Sequence, residues 1–242
     1  MARLPDFFRV EVASQFYALK DYIHFVESHI QDTHHSTRAE LLSSHESPPP
    51  GADENEIQEW LSLSQEQIDE CDRRFAVHFR RTLRFSVVVS LFTLVESNML
   101  RVGDEMKRRE QLALGVTDLQ AKDLVHRFKK FWTKVADRPW WEDERWQSLK
   151  DLQEIRNCVA HHNGVVRDND GRIKQILGQN RGIRLVDVTD RLMDPDEAAT
   201  LVIEERFCGE MIAEMKALFD EIFERATCFG PDHVVRDSDE SL

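Results

Sequence analysis

The sequence predicts an all-α fold: a bundle of long antiparallel helices with a small β-hairpin before the last helix. Three observations lead there. Only nine of 242 residues are Gly and seven are Pro, while 41% are hydrophobic and 32% charged, a balance that suits long helices better than a turn-rich sandwich. Apolar residues recur every three or four positions through most of the chain. Capping residues and breakers sit at the ends of several of these periodic stretches.

The first helix is expected over residues 6–31, where Phe8, Val12, Phe16, Leu19, Ile23 and Val26 form one apolar face and Pro5 suits the first turn. Residues 32–56, "DTHHSTRAELLSSHESPPPGADENE", are rich in Ser, Pro and charge, and read as a flexible acidic linker. His34, His35 and His45 lie in it and read as solvated rather than metal-binding. A helical domain is expected over 57–229 and a disordered acidic tail over 230–242. Within the domain, Ser64 with Gln67 offers a capping box for a long helix to Leu112, with Gly103 as a candidate bend. Thr117 with Gln120 offers another cap, before the basic amphipathic stretch "LQAKDLVHRFKKFWTKVA". Pro139 and the Trp140–Trp141 pair mark a loop whose tryptophans are expected to pack. A helix from Glu144 to His162 follows. "NDG" at 169–171 signals a turn, and 183–188 with 199–204 read as a hairpin. "ERFCGEMIAEMKALFDEIFERA" is the final helix.

The longest apolar run, Phe85–Val95, is far short of the roughly 20 residues a membrane span needs, so a buried core segment and no membrane partner are expected. The opening residues lack a secretory pattern and the four cysteines form no Cys-x-x-Cys pair, which points to a cytoplasmic protein with reduced thiols. The net charge of −13 is uneven. Residues 32–70 carry ten acids and one base, whereas 71–138 carry fifteen Lys or Arg and eight acids. A basic region can therefore face RNA even though the whole chain is acidic. Arg80, Arg81, Arg84, Lys129 and Lys130 are its candidate phosphate contacts, with solvated helix faces as the alternative.

The stretch "EIRNCVAHHNG", 154–164, concentrates chemistry on one helix. Asn157 and His161 are four apart and nearly share a face, whereas Arg156 and His161 differ by about 140° on an ideal helix. Arginine can bridge that angle by its reach, by unwinding of the helix end, or by meeting the histidine of a second chain. Imidazole moves a proton near neutral pH, and guanidinium holds phosphate oxygens as charge builds at phosphorus. The pair suits metal-free RNA cleavage by the 2′-hydroxyl. The same letters also describe a well-terminated helix, with histidine at the negative dipole end and Asn163–Gly164 as the stop.

"RNCVAH", Arg156–His161, resembles the signature of the HEPN family: arginine, a polar residue, three positions, then histidine. "SLFTLVESNML", Ser90–Leu100, is similar to that family's earlier core helix, and the resemblance covers about residues 70–227. It implies a dimeric helical bundle with motif helices meeting at the subunit interface. It also implies a metal-independent endoribonuclease without a cofactor, of the kind found in toxin–antitoxin, phage-defence or RNA-processing systems. Arg156 would bind phosphate and His161 would act in acid–base chemistry. Asn157 would fill the polar position, Glu96 would orient Arg156 across the bundle, and His162 is an unassigned extra. A protein antitoxin or regulator is an implied partner. Some members carry a modifiable tyrosine two residues after the histidine; Asn163 stands there instead, which argues against regulation by nucleotidyl transfer. Other members are non-catalytic modules that bind a protein or nucleotide, and that is the alternative reading.

Overall fold

A computed structural model describes residues 6–167, 171–179, 181–187 and 199–228. Among the described residues 77% are helical, with only a small three-stranded antiparallel sheet, so the all-α class holds. The acidic tail, Pro5, and Asn169 and Asp170 of the "NDG" turn lie outside the described residues.

Helix α1 spans Asp6–Ser44 and buries Phe8, Val12, Phe16, Ile23 and Ile30. It continues thirteen residues into the stretch assigned to a linker, and only residues 45–53 interrupt the helices there. Two things extend it. The run to Ser44 contains no Gly or Pro, and His34 anchors it by a 2.7 Å hydrogen bond between Nε2 and Asp72 Oδ1. His34 also stacks on Phe75, so it is a half-buried helix residue and not a solvated loop histidine.

Helix α2, Glu54–Asp72, starts ten residues before the expected cap. Asp53 Oδ1 accepts from the Asn55 and Glu56 amides at 2.9 and 3.0 Å, and Glu56 Oε2 accepts from the Asp53 amide at 2.8 Å. This is a reciprocal capping box. Ser64 is inside the helix, its hydroxyl bonded to the Trp60 carbonyl. A π-helical segment over Arg73–Phe79 leads without a break into α3, Arg80–Glu110. Gly103 does not divide α3. A Cβ there would come within 2.3 Å of Val116 Cγ2, so glycine lets the following loop pack closely against the helix. The apolar run expected to be buried supplies Phe85, Val87, Val88, Leu91, Phe92 and Val95 to the core. By length and hydropathy a window within Glu54–Glu110 passes as a membrane span, but half of it is buried in the bundle.

Asp123, not Thr117, caps the next helix, α4 (Leu124–Lys130), accepting from the His126 amide at 2.9 Å. Its π-helical extension Phe131–Val135 buries Phe131 and Trp132. The paired tryptophans pack as expected: Trp132, Trp140, Trp141 and Trp146 form one aromatic cluster with ring centroids 4.4–5.4 Å apart. Helix α5 is Glu144–His162, matching the sequence reading, and is capped by Asp143.

After α5 come β1 (Val165–Val166), the unexpected short helix α6 (Gly171–Leu177), β2 (Ile183–Asp187), β3 (Ala199–Ile203) and α7 (Glu205–Cys228). The expected hairpin is present, with Leu185 opposite Leu201, and β1 adds a strand to the outer edge of β3.

Helices α1, α3, α5 and α7 form the core. Phe8 meets Phe223 edge-on at 5.4 Å and Phe16 lies 5.6 Å from Phe219, so α1 runs antiparallel to α7. Gln15 with Asn98 and Glu27 with Arg84 set α1 antiparallel to α3 in the same way. Helix α5 packs on α3 and α7, on the far side of both from α1.

Candidate active site on the fifth helix

The end of α5 is fixed by local chemistry. Asn163 and Gly164 adopt left-handed φ values of 50° and 76°, and the Gly164 amide donates to the Cys158 carbonyl at 3.1 Å, closing the helix. Gly164 is required twice over, because a Cβ would also stand 2.5 Å from Phe85 Cζ. Its carbonyl accepts from the Leu201 amide at 2.8 Å, tying the helix end to β3.

On this framework Arg156 faces α3. Its guanidinium carbon lies 5.3 Å from the Phe92 ring centroid, and Nη1 donates to Asn157 Oδ1 at 3.1 Å. Its Nε is buried without a partner. His161 is exposed on the other side of the helix, and Asn157 lies between the two directions. Among the described residues neither His161 nor His162 makes a hydrogen bond, ion pair or ring contact. Glu96 lies one turn beyond Phe92 on α3, half-buried, and makes no ion pair with Arg156. Within one chain, then, Arg156 and Asn157 are joined, while His161 and Glu96 stand free of them.

Two grooves flank this ridge. The one between α3 and α5, about 410 Å³, is neutral and lined by Thr82, Phe85, Ser86, Ser90, Ala160 and Asn163. The other, about 390 Å³, is polar and includes Asn157, Lys122, His126, Lys150 and Arg172. Lys122 and Lys150 make no hydrogen bond or ion pair among the described residues. Charge counting along the sequence passed over both. The signal was there in the spacing: Lys150, Glu154, Asn157 and His161 recur at i, i+4, i+7 and i+11 on one helical face.

The five basic residues expected to guide RNA are placed differently. Glu27, nearly buried, takes Arg84 Nε at 2.5 Å and Arg80 Nε at 3.5 Å, and Arg84 also donates to the Ile203 carbonyl at 3.0 Å. Arg81 donates to the Asn163 carbonyl at 2.6 Å and lies over Phe85, so it braces the end of α5. Lys129 pairs with Glu142 at 2.6 Å over the Trp140 ring, and Lys130 reaches the Gln120 carbonyl at 3.4 Å. Arg80, Arg81 and Arg84 tie elements of the fold together, Lys129 and Lys130 make exposed contacts, and only Arg81 adjoins the motif.

Comparison with protein-family models, curated proteins and solved structures returns no match to this chain.

Proposed function

We propose that the protein is a cytoplasmic, metal-independent endoribonuclease of the HEPN type, acting as a homodimer that joins two copies of the Arg156–His161 helix at one RNA phosphate. The observation that carries this reading is the splayed motif. Arg156 is steadied by Asn157 and Phe92 on one side of α5, while His161 stands exposed and unpartnered on the other. Side chains about 140° apart converge most simply when a second copy supplies the complementary half. The α3–α5 groove beside Arg156 has no charged residue in its lining, and Arg81 at its end is already tied to the Asn163 carbonyl.

In the reaction the ribose 2′-oxygen attacks the adjacent phosphorus and the 5′-oxygen of the next nucleotide departs, leaving a 2′,3′-cyclic phosphate. Arg156 holds the non-bridging oxygens as their charge grows, and His161 takes the 2′-hydroxyl proton and returns a proton to the departing 5′-oxygen. The fifth phosphorus substituent comes from the substrate itself, so no metal-activated water is needed. A defence or toxin role, with a protein regulator, follows from the family resemblance alone.

The test is cleavage of mixed RNA in EDTA by the parent, Arg156→Ala and His161→Ala proteins. The reading expects 2′,3′-cyclic ends from the parent and a fall of at least about 10²-fold in each variant. Equal activity in all three would place the chemistry elsewhere. RNA binding without cleavage would favour the non-catalytic module.

A further inference from the structure

The polar groove between α4, α5 and α6 is not built as a phosphate site. Its charges balance: Lys122, Lys150 and Arg172 meet Asp123, Asp151 and Glu154. Without a surplus of positive charge, attraction for an anion alone is weak. What the groove holds instead is unused hydrogen-bonding capacity. Lys150, Gln153, Glu154 and Asn157 line it and lie within about 100° of one another on α5. Among the described residues Lys150, Gln153 and Glu154 make no hydrogen bond or ion pair, and Asn157 uses only its Oδ1, to hold Arg156. Lys150 and Glu154 stand four apart, the spacing of a helical ion pair, yet do not pair.

The groups bordering them are planar and held in place. Arg172 Nη2 donates to Asp151 Oδ1, an acid only 1% exposed that Gln147 Nε2 also reaches at 2.8 Å. His126 Nδ1 sits 2.8 Å from Oδ1 of Asp123, the residue that caps α4. A guanidinium and an imidazole, each fixed by an acid, thus stand beside free amides and a free carboxylate. Planar groups for stacking and open hydrogen-bonding groups for a base edge are the means by which single-stranded RNA is read.

We infer that this groove takes an unstacked RNA base beside the scissile phosphate, and that the base is guanine. Guanine alone of the four bases presents two adjacent N–H donors on its Watson–Crick edge, and they match the two free oxygens of Glu154. Its O6 is left for the amide of Gln153 or Asn157. Adenine and cytosine offer the carboxylate one amino group, and uracil one ring N–H. The place along the strand follows from Asn157, which lines the groove and accepts from Arg156 at 3.1 Å; His161 stands one turn further along α5. Lys150, at the other end of this face, is left for a neighbouring phosphate. The assignment rests on the RNA-cleaving reading of the motif and names the substrate feature that this site selects.

The test is fluorescence anisotropy on full-length His161→Ala protein, so that binding is read without cleavage. The probes are short labelled oligouridines carrying one central guanosine, adenosine, cytidine or no replacement. The guanosine probe is expected to bind at least about 10-fold more tightly than the others, and inosine, which lacks the 2-amino group, to lose most of that gain. Adding Glu154→Gln brings the probes level without weakening the all-uridine one, since a negative charge is removed; circular dichroism controls for folding. Equal binding of all probes before that change, or a guanosine preference that survives it, overturns the inference. Guanosine monophosphate displaces the probe only at concentrations far above that of the RNA; displacement at equal concentration would give the groove to a free nucleotide and overturn the RNA assignment. Mapping of cleaved ends with the unmodified chain separates the two readings. Cuts with no guanosine beside them overturn the base site and leave the ribonuclease standing. A guanosine preference in binding with no RNA cleaved leaves the base site standing and removes the ribonuclease.

Discussion

Replacing Arg84 by methionine is expected to destabilise the fold and to leave RNA affinity intact. The Glu27 side chain is 7% exposed and faces two guanidinium groups, Arg84 at 2.5 Å and Arg80 at 3.5 Å. Removing one partner of a buried pair costs about 3–5 kcal/mol when the remaining charge is uncompensated. Arg80 stays, so the lower end of that range, about 3 kcal/mol, is the expected loss. The freed Ile203 carbonyl adds to it only where water cannot reach. At about 2–4 °C per kcal/mol for a domain of this size, the melting temperature falls by about 6–12 °C. Circular dichroism melts measure it, and the double variant Glu27→Leu/Arg84→Met isolates the cause, because removing both charges recovers much of the loss. A melting point within about 2 °C of the parent, or a double variant worse than the single, would refute the ion-pair account. A large drop in RNA affinity at full stability would return Arg84 to the nucleic-acid surface.

Four further outcomes follow from the geometry. Gly164→Ala forces a Cβ into a left-handed backbone and against Phe85, and is expected to cost at least about 1–2 kcal/mol from the backbone alone, read as a lower urea midpoint. Lys150→Ala in a His161→Ala background is expected to weaken RNA binding evenly across sequences and to lower the slope of log affinity against log salt by about 0.7, measured by fluorescence anisotropy. The hydrogen bond from His34 and the nearby Arg38 hold the Asp72 carboxyl below its ordinary value of 3.8. A lowered folded-state value stabilises above the unfolded one and is lost as pH falls through it, so the stability difference between parent and Asp72→Asn is expected to be present above about pH 5 and to fade below about pH 4 in denaturant titrations. Burial pushes the Cys208 thiol up to about 12, so mass mapping after iodoacetamide at pH 8 is expected to find it unmodified until the protein is unfolded.

The sequence was legible where local signals and tertiary packing agree. Helix α5 was read to its ends because Asp143 caps it and Asn163–Gly164 stop it, and both devices are made within a few residues. The start of α2 was misplaced because Asp53 and Glu56 lay in a stretch whose prolines, serines and acids read as linker, and Ser64 imitated the same motif further along the same helix. The extension of α1 was hidden because what holds it, Asp72, is 38 residues away. The basic residues show the same limit more sharply. Fifteen Lys and Arg in one segment look like an RNA surface when counted along the chain, but Glu27 and Asn163, which hold Arg84, Arg80 and Arg81, come from other elements. Lys150 and Asn157 were in plain view at helical spacing, yet only the fold shows that Lys122 and His126 join them across a groove.

The position of Glu96 separates two ways of completing the site. It is half-buried one turn from the ring beneath Arg156, and it forms no bond with any described residue. If Glu96 acts within its own chain, Arg156 must leave Asn157 to reach it, and Asn157→Ala should then leave cleavage nearly unchanged while Glu96→Gln reduces it. If the groove is closed by a second copy, Glu96 lies at the covered edge. Both Asn157→Ala and Glu96→Gln would then raise the protein concentration needed for half-maximal activity, with less effect on the rate at saturation. Activity measured against enzyme concentration for the two variants tells these apart. A loss of saturating rate in Glu96→Gln alone would place the acid beside Arg156 within one protomer.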